Sequence, residues 1–363
     1  MYFLHDLAPF GAQRVALYSI KNMDKVLLSV SVCSFWHEET LKPEFIKAGA
    51  KVFPLRAKRF YDIFAWMRLL NIIQSTKPNI IYTTIPELGV ITRFLRFLFP
   101  RLKVVHSFHN PMSSEPPIWQ FLNRHTIGLC DAIVFSSAGI VADILKLAPY
   151  IKNRTTVIPN AVTLREHSEG KTDIRAEYNI RADTTVIVCN GRLCIQKGQD
   201  TLIASASILI KKGHKIILLL VGDGEDESML KNKAAELNIS DSVILTGRRG
   251  DIPQILGAAN IYVAPSRWES FNIALGEAML KGIPCIASDI PGHKDLLQNG
   301  KTGISVRKED PEALAYAIEY ALANPETLKP LIKSAKENVE TNFTPSIMAR
   351  AYEKMFLNIL EKQ

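Results

Sequence analysis

The chain has 363 residues, of which 47% are hydrophobic and 22% are charged, a composition that excludes a disordered chain. This length is too great for one ordinary domain and suits two. The formal net charge of +8 favours an anionic partner, either a nucleotide, a nucleic acid or a lipid surface. Nucleic acid is the least favoured of these, because no nucleic-acid-binding motif accompanies the charge.

The first half of the chain alternates short apolar strands with helical patterns. Such strands are typical of a parallel sheet covered by helices on both faces. The helical patterns include residues 13–22, 63–75 and 118–129. We predict seven strands, at residues 2–7, 26–32, 51–55, 79–83, 103–108, 132–136 and 156–159.

A polar stretch at residues 163–173 is predicted to be a linker, after which the alternation restarts. Strands are predicted at residues 185–190, 215–221, 242–246, 261–264, 283–287 and 303–306. Helices are predicted at residues 199–211, 228–237, 271–280, 311–323 and 345–360. We therefore expect two doubly wound, Rossmann-like α/β domains, residues 1–165 and 166–343, facing each other across a cleft. A C-terminal helix, residues 344–363, follows them.

The compartment and any membrane contact are predicted from three features. No run of about 18 apolar residues and no basic-then-apolar N-terminus is present, so neither a membrane span nor a secretory leader is expected. The five cysteines form no CxxC pair, which predicts a reducing, cytoplasmic compartment. Basic and apolar residues interleave in the segments 58–68 and 93–101. These segments are either membrane-surface helices or ordinary helices packed on a sheet.

The loop that follows the predicted strand 185–190 suits a diphosphate. It reads NGRL at residues 190–193, and Lys197 and Gly198 open the next helix. Glycine lets the backbone approach a ligand, arginine can bind two phosphate oxygens at once, and lysine supplies a mobile charge. The same pattern also occurs in ordinary surface loops.

Residues 261–282 indicate a strand, a polar loop bearing Glu269, and a helix bearing Glu277. In open α/β sheets, ligands lie outside the carboxyl ends of strands, where helix N-termini present free N–H groups. A carboxylate beside such an anion site would repel phosphate unless it binds another group, such as sugar hydroxyls. The segment therefore predicts a ligand that is part phosphate and part sugar.

Three further strand ends carry polar groups. The sequences VGDG at 221–224 and GRRGD at 247–251 place glycines and polar groups at the carboxyl edge of the sheet. The first of them is not followed by the third glycine of a dinucleotide fingerprint, which counts against a dehydrogenase. Of two histidines at the end of the predicted strand 103–108, His109 is better placed than His106 to reach a ligand. No metal site is expected from the acids that follow Gly222, because no histidine supports them, and we expect them to be solvated: Asp223, Glu225, Asp226 and Glu227.

In this order, the motifs resemble the retaining glycosyltransferases of family 4, which have the GT-B fold. The resemblance runs along most of the chain and includes NGRLCIQKG, LLLVGDG, VILTGRRGDIPQIL, AANIYVAPS and ESFNIALGEAMLKGIPCIAS. It implies sugar transfer from a UDP- or GDP-linked donor to a hydroxyl of a glycan or lipid-linked acceptor, in cell-envelope polysaccharide synthesis. It further implies retained anomeric configuration and no metal, and no cofactor is expected. The basic, aromatic segments of the first domain favour a lipid-linked or envelope-glycan acceptor and a peripheral place on the inner face of the membrane.

The resemblance also implies roles for individual residues. Arg192 and Lys197 would hold the donor diphosphate, Glu269 and His109 would contact the transferred sugar, and Glu277 would bind the ribose. The first domain would bind the acceptor and the second the nucleotide sugar, and the C-terminal helix, residues 344–363, would cross back to the first domain. Asn272 stands where the family usually has glycine. The remaining substrate-binding positions line the phosphates, the base and the acceptor: Gly11, Gly191, Gly222, Gly247, Arg248, Ser270, Phe271, Asn272 and Ile273.

Two alternatives remain open. One is a nucleotide-sugar epimerase of the same fold, which would release free nucleotide without any acceptor. The other is a non-catalytic nucleotide-binding protein at a membrane surface.

Overall fold

A computed structural model describes residues 1–9, 11–109, 112, 115–164 and 173–361. The chain divides into two compact units. Unit 1 comprises Met1–Ala161 with Thr344–Gln363, and unit 2 comprises Val162–Phe343. Each unit contains one parallel sheet, which confirms the predicted fold class of two parallel-sheet α/β domains. Residues 165–172 of the predicted linker lie outside the described residues.

The sheet of unit 1 has seven strands in the order β3-β2-β1-β4-β5-β6-β7, and every neighbouring pair is parallel. The strand order reverses direction at β1, as in doubly wound sheets. The strands are β1 (Tyr2–Leu4), β2 (Ser31–Ser34), β3 (Lys51–Pro54), β4 (Ile80–Thr83), β5 (Lys103–Phe108), β6 (Ala132–Phe135) and β7 (Thr155–Val157).

The helices at residues 63–76 and 86–98 pack on the sheet of unit 1 through apolar side chains. Ala65, Leu69 and Leu95 are buried in the same cluster as Phe3 and Val104 of the sheet. The helices are α1 (Gly11–Asn22), α2 (Lys42–Lys47), α3 (Ile63–Thr76), α4 (Pro86–Leu98), α5 (Pro117–Thr126), α6 (Val141–Leu147) and, from the C-terminus, α15 (Pro345–Glu361).

The C-terminal helix α15 is part of unit 1. The hydroxyl groups of Tyr352 on α15 and Tyr82 on β4 lie 3.0 Å apart. The ring of Phe356 packs edge-on against Tyr2, with centroids 6.2 Å apart. These buried aromatic contacts explain why an amphipathic helix that follows no strand is stable at this position.

The sheet of unit 2 has six strands, also all parallel, in the order β10-β9-β8-β11-β12-β13. Its strands are β8 (Thr185–Asn190), β9 (Ile216–Val221), β10 (Val243–Gly247), β11 (Ile261–Ala264), β12 (Cys285–Ser288) and β13 (Ile304–Val306). Its helices are α7 (Ile174–Glu177), α8 (Gln199–Lys211), α9 (Glu227–Glu236), α10 (Ile252–Ala258), α11 (Ile273–Lys281), α12 (Lys294–Leu297), α13 (Pro311–Ala323) and α14 (Pro325–Asn342).

Both faces of this second sheet are buried. Val186 and Val188 of β8 join one apolar cluster, whereas Ile187 and Cys189 join a second cluster on the opposite face. Alternate strand residues point to opposite faces, so continuous apolar runs are needed where helices cover both. Because the strands are parallel, the loops that follow β10, β9, β8 and β11 emerge as neighbours at one edge.

Two predicted elements are wrong. The strand predicted at residues 26–32 is β2 at Ser31–Ser34, because the backbone turns after Asp24, whose carboxylate accepts from the N–H of Val26 (2.8 Å). Val26 is 94% exposed. The strand predicted at residues 2–7 ends at Leu4.

Two further observations concern the cysteines and the possibility of a membrane-spanning helix. All five cysteines are free and buried. Within the described residues, no helix combines the length and the apolarity that crossing a membrane requires.

Candidate functional site

Three glycines form the carboxyl edge of β8, β9 and β10. The N–H of Gly191 donates to the Val221 carbonyl, and the N–H of Gly222 donates to the Gly247 carbonyl, both at 2.9 Å. Gly222 has φ +137°, and a Cβ atom there would lie 2.1 Å from the Gly191 carbonyl oxygen. Only glycine permits this approach, so the edge presents backbone rather than side chains.

Lys197 and Glu269 meet at this edge of the sheet. Lys197 ends a short 3-10 turn after β8, and Glu269 follows β11, which is hydrogen-bonded to β8. Lys197 Nζ lies 2.5 Å from Glu269 Oε1, and the two side chains are 20% and 7% exposed. Burial opposes the charge of Lys197, but Glu269 outweighs it and raises the pKa of Lys197. The ammonium therefore stays charged, and an ammonium has three donors, so it has donors left for a ligand.

Two other groups hold Glu269 in place. Ser266 Oγ donates to Glu269 Oε1 at 3.1 Å, and Gln196 Nε2 donates to Oε2 at 3.2 Å. Each carboxylate oxygen can accept two hydrogen bonds, so Oε2 keeps one acceptor position. The carboxylate thus orients Lys197 and has capacity for one more donor.

Arg267, which the sequence reading passed over, fixes the loop that carries Lys197. Its guanidinium binds both carboxylate oxygens of Asp200 at 2.8 and 2.9 Å and donates to the Ile195 carbonyl at 2.8 Å. Its backbone N–H donates to the Gln196 carbonyl at 2.8 Å. A bidentate arginine pair restricts geometry strongly. Its position in the same loop as Ser266 and Glu269 is the sequence feature that could have identified Arg267 as a residue of the site.

The acids of the loop after β9 were expected to be solvated only, but two of them also form ion pairs. Glu225 pairs with Arg192 at 3.0 Å, and Asp223 pairs with Arg248 at 3.0 Å. β9 lies between β8 and β10, so its loop reaches an arginine on each side. All four side chains are more than half exposed. Exposed pairs of this kind are weak, so both arginines can exchange a carboxylate for a phosphate.

Asn272 caps the helix α11, which begins at Ile273 and not at Phe271 as predicted. Its Oδ1 accepts from the Leu275 N–H at 3.1 Å, and its Nδ2 lies 3.1 Å from Nε2 of buried His293. Burial lowers the pKa of His293 to about 4, so the ring is neutral. Its Nδ1–H donates to the Ser288 carbonyl (2.9 Å), and its Nε2 accepts from Asn272. Asparagine thus supplies a cap that glycine would lack.

The remaining predicted residues of unit 2 lie around this helix start. Phe271 is buried and its ring packs against Phe343, with centroids 5.3 Å apart, while Ser270 is also buried. The helix α11 begins at Ile273. The N–H groups in the first turn of a helix have no carbonyl partner within the helix, and they carry partial positive charge. Glu277 lies one turn further along α11 and is half-buried.

Gly11 and His109 belong to unit 1. Gly11 is the first residue of α1, and a Cβ atom added there would have no contact within 4 Å. His109 follows β5, and its Nε2 lies 3.5 Å from Ser107 Oγ. Burial lowers the pKa of His109 to about 4. His106 is fully buried inside the unit, where its Nδ1 lies 2.9 Å from Thr83 Oγ1.

Two alternatives were open for the segment 93–101, and two arginines of α4 do not contribute to an exposed basic surface. Arg93 is fully buried, and its Nη1 donates to Thr126 Oγ1 at 2.8 Å. Arg96 is half-buried and donates to the Leu129 carbonyl. These two cations connect α4 to the α5 region instead of facing solvent. Phe94, Phe97 and Leu98 remain exposed.

His, Cys, Asp and Glu side chains form no group of three or more suited to a metal ion in the part of the chain that the structure describes. The polar groups at this edge are instead cations, carboxylates and backbone N–H groups. Such a set suits a ligand with phosphate and hydroxyl groups.

Sequence comparison identifies the family. The sequence-family model described as Glycosyl transferases group 1 matches residues 170–338. The family model described as Glycosyltransferase Family 4 matches residues 10–166. The chain belongs to glycosyltransferase family 4. Membership of this family, which the sequence motifs indicated, is thereby confirmed, and this protein is a glycosyltransferase.

The relatives of this glycosyltransferase have low sequence identity to it, but they align with most of its length. It is 24% identical to N-acetyl-alpha-D-glucosaminyl L-malate synthase of Bacillus anthracis, over 83% of this chain and 80% of that one. It is 24% identical to UDP-Gal:alpha-D-GlcNAc-diphosphoundecaprenol alpha-1,3-galactosyltransferase of Escherichia coli, over 78% of this chain and 76% of that one. The crystal structure of Anabaena HepE in complex with UDP-glucose has the same fold. The TM-score is 0.82 at 19% identity, over 98% of this chain and 99% of that one.

Proposed function

We propose that this glycosyltransferase moves a sugar from a UDP- or GDP-linked donor to a hydroxyl of a glycan or lipid-linked acceptor in cell-envelope polysaccharide synthesis. One observation carries this assignment: the 2.5 Å Lys197–Glu269 pair lies at the edge of the unit 2 sheet where glycines lie at the carboxyl ends of β8, β9 and β10. HepE was solved with UDP-glucose, and the Escherichia coli relative is named for a lipid-linked acceptor. Both facts support this substrate class.

The donor would lie along the carboxyl edge of β8–β11. Arg192, Lys197 and the first-turn N–H groups of α11 would bind the diphosphate, because they are the positive groups of this edge. Glu277 would accept from the ribose hydroxyls, and Gly247 and Arg248 would lie beside the base. Glu269 would contact the transferred sugar through its remaining acceptor position while holding Lys197.

The reaction would proceed with retention and without a metal. The bond from the anomeric carbon to the diphosphate oxygen breaks, and its electron pair leaves with the diphosphate. The acceptor hydroxyl attacks the same face, and its proton passes to the leaving phosphate oxygen. Arg192 and Lys197 stabilise the charge that develops there. Neutral His109 would hydrogen-bond the transferred sugar, and the segment that joins β1 to Gly11, here called the Gly11 loop, would contact the acceptor.

A membrane-linked acceptor fits the surface of unit 1. Large apolar side chains on α3 and α4 are exposed there, including Phe64, Met67 and Phe97. Exposed apolar groups beside basic residues favour contact with a lipid surface. We therefore also propose peripheral association with the inner face of the cell membrane.

The test has two stages. A thermal-shift screen of UDP- and GDP-sugars identifies the donor, because a ligand bound to the folded state raises the melting temperature. The selected donor is then incubated with envelope lipid extract in EDTA, and the anomeric configuration of the product is read by NMR. The expected result is acceptor-dependent transfer with retention, which Lys197→Ala nearly abolishes. Acceptor-independent release of nucleotide, as by an epimerase, or near-normal transfer by Lys197→Ala would contradict the assignment.

A further inference from the structure

A groove in unit 1 opens beside the carboxyl end of β3 and has a volume of about 890 Å³. We call it the basic groove. Three of its lining residues are the cations Lys58, Arg59 and Arg68, and three are the apolar or aromatic residues Tyr61, Ile63 and Phe64. None of these residues belongs to the donor edge described above.

The cations of the basic groove are available to an anion. Within the described residues, Lys58, Arg59 and Arg68 form no ion pair with a carboxylate. Arg59 donates instead to the Tyr61 hydroxyl at 2.9 Å, and Arg68 donates to the Leu55 carbonyl at 2.5 and 3.1 Å. Both leave further guanidinium N–H groups for a ligand, since a guanidinium has five.

Two acids near the basic groove are already engaged. Asp62 caps α3, because its carboxylate accepts from the N–H groups of Ala65 and Lys58, both at 3.1 Å. A fourth cation of the lining, Arg56, is neutralised by Glu39 at 2.7 Å. The groove therefore keeps a net positive charge.

The apolar residues of the basic groove point outward. Tyr61 is 74% exposed, Ile63 is 65% exposed and Phe64 is 68% exposed. Large apolar side chains that stay exposed in a cluster mark a binding surface. Beside three cations, they match a ligand with a phosphate at one end and a hydrocarbon chain at the other.

The position of the groove indicates which amphiphile this is. β3 is the edge strand of β3-β2-β1, and β1 leads to the Gly11 loop at the same carboxyl edge, about two strand spacings or 10 Å away. Ligands of α/β sheets lie along this edge. We propose that the basic groove binds the phosphate and adjoining hydrocarbon of a lipid-linked acceptor, whose sugar then extends toward the Gly11 loop. This assignment rests on the function proposed above.

The probe is farnesyl diphosphate, which combines a diphosphate with a short hydrocarbon chain. Its binding to the full chain is measured by calorimetry beside farnesol and inorganic diphosphate, which carry one half of it each. The titrations use the Lys197→Ala background, which weakens capture of the diphosphate by the donor edge of unit 2. The test variant is Lys58→Gln/Arg59→Gln. Its matched control is Lys21→Gln/Lys47→Gln, which removes two exposed charges elsewhere in unit 1.

We expect farnesyl diphosphate to bind more tightly than either half. The Lys58→Gln/Arg59→Gln pair should weaken it by roughly tenfold or more, because hydrogen bonds to charged groups are lost, and the control pair should leave it unchanged. Phe64→Ala should weaken farnesyl diphosphate and leave inorganic diphosphate unaffected. Equal losses in test and control pairs, or equal binding of farnesyl and inorganic diphosphate, would overturn the assignment.

Vesicles of phosphatidylglycerol and of phosphatidylcholine distinguish the second source of lipid phosphate. If Lys58→Gln/Arg59→Gln weakens binding to the anionic vesicles but leaves farnesyl diphosphate binding unchanged, the groove holds bilayer phospholipid and the acceptor assignment is wrong. Failure of this assignment is separable from failure of the proposed function. In the first case sugar transfer still depends on Lys197, and in the second it does not.

Discussion

Replacing Glu269 by Gln removes the carboxylate that neutralises Lys197 in a poorly exposed site. The pair is 2.5 Å long, with side chains 20% and 7% exposed. Breaking a buried pair from one side costs about 3–5 kcal/mol, because a charge is left without compensation. Lys197 retains some contact with water, so we expect the lower end, about 3 kcal/mol. For a unit of this size that corresponds to a fall in Tm of about 6–12 °C.

The assay is urea unfolding of three variants: Glu269→Gln, Lys197→Met and the two combined. The double variant should be about 2–3 kcal/mol more stable than Glu269→Gln, because neither charge is then left alone, and the coupling energy should be at least that large. The matched control is Glu227→Gln, which breaks the exposed Lys231–Glu227 pair and should cost less than about 1 kcal/mol. Additive losses, or a Glu269→Gln cost as small as that of the control, would refute the buried-pair reasoning.

The same pair predicts a dependence on pH. Although burial opposes the charge, Glu269 raises the pKa of Lys197 above 10.5 in the folded state. The stabilisation is therefore present in full below pH 10.5, and it is lost as the pH rises through the folded-state pKa. Wild type should lose more unfolding free energy than Lys197→Met between pH 10 and the alkaline limit of folding. Parallel losses would contradict this.

Three further predictions concern the rest of the site. Asn272→Ala and Asn272→Gly both lose the hydrogen bond to buried His293, but Asn272→Ala should cost about 1 kcal/mol more unfolding free energy, because glycine replaces an N-cap at lower cost than alanine. Equal costs in urea titrations would count against the cap. Burial holds the pKa of His293 at about 4, against 6.5 for the free side chain. The free energy of unfolding of the wild type should therefore fall by about 3 kcal/mol as the pH falls from 6.5 to 4. His293→Gln should flatten that pH profile, and an unchanged slope would oppose it. Gly222→Ala should abolish donor binding in calorimetry, because its Cβ would lie 2.1 Å from a carbonyl oxygen. The control Gly213→Ala, whose Cβ would have no neighbour within 4 Å, should preserve donor binding. Equal effects of the two variants would contradict the close backbone contact at Gly222.

Strands and helices with a clear period were predictable from the sequence. The predicted elements 103–108, 185–190 and 261–264 are strands with those bounds, and 199–211 is a helix with its predicted bounds. The failures have local causes. The apolar run 26–30 predicts a strand, yet Asp24 starts a turn there. The helix α14 was not among the predicted helices. Pro325 is its first residue, where proline is tolerated, but Pro330 lies inside it, where proline ordinarily breaks a helix.

The candidate site was predictable as a set of loops but not as a set of contacts. Lys197 and Glu269 lie 72 positions apart in the chain, and they meet because β8 pairs with β11. Nothing in the local pattern gives that pairing. The same holds for the acidic loop, whose ion pairs depend on β9 lying between β8 and β10.

Arg93 illustrates the limit of reading a helix by its charges. An arginine in an amphipathic helix is ordinarily expected on the polar face. Here α4 packs beside α5, where Thr126 accepts a hydrogen bond from the buried guanidinium at 2.8 Å. The neighbouring helix, and not the period of α4, determines where Arg93 lies.

Recognition of a donor diphosphate by Lys197 is tested most directly by calorimetric titration with UDP, UMP, GDP and GMP. Wild type is compared with Lys197→Met/Glu269→Gln, in which stability should be largely recovered. In wild type, one diphosphate should bind at least roughly tenfold more tightly than its monophosphate, because the ammonium donates to the second phosphate. The double variant should lose that preference. Equal affinity for both nucleotides in wild type, or an unchanged preference in the variant, would contradict a diphosphate site at Lys197.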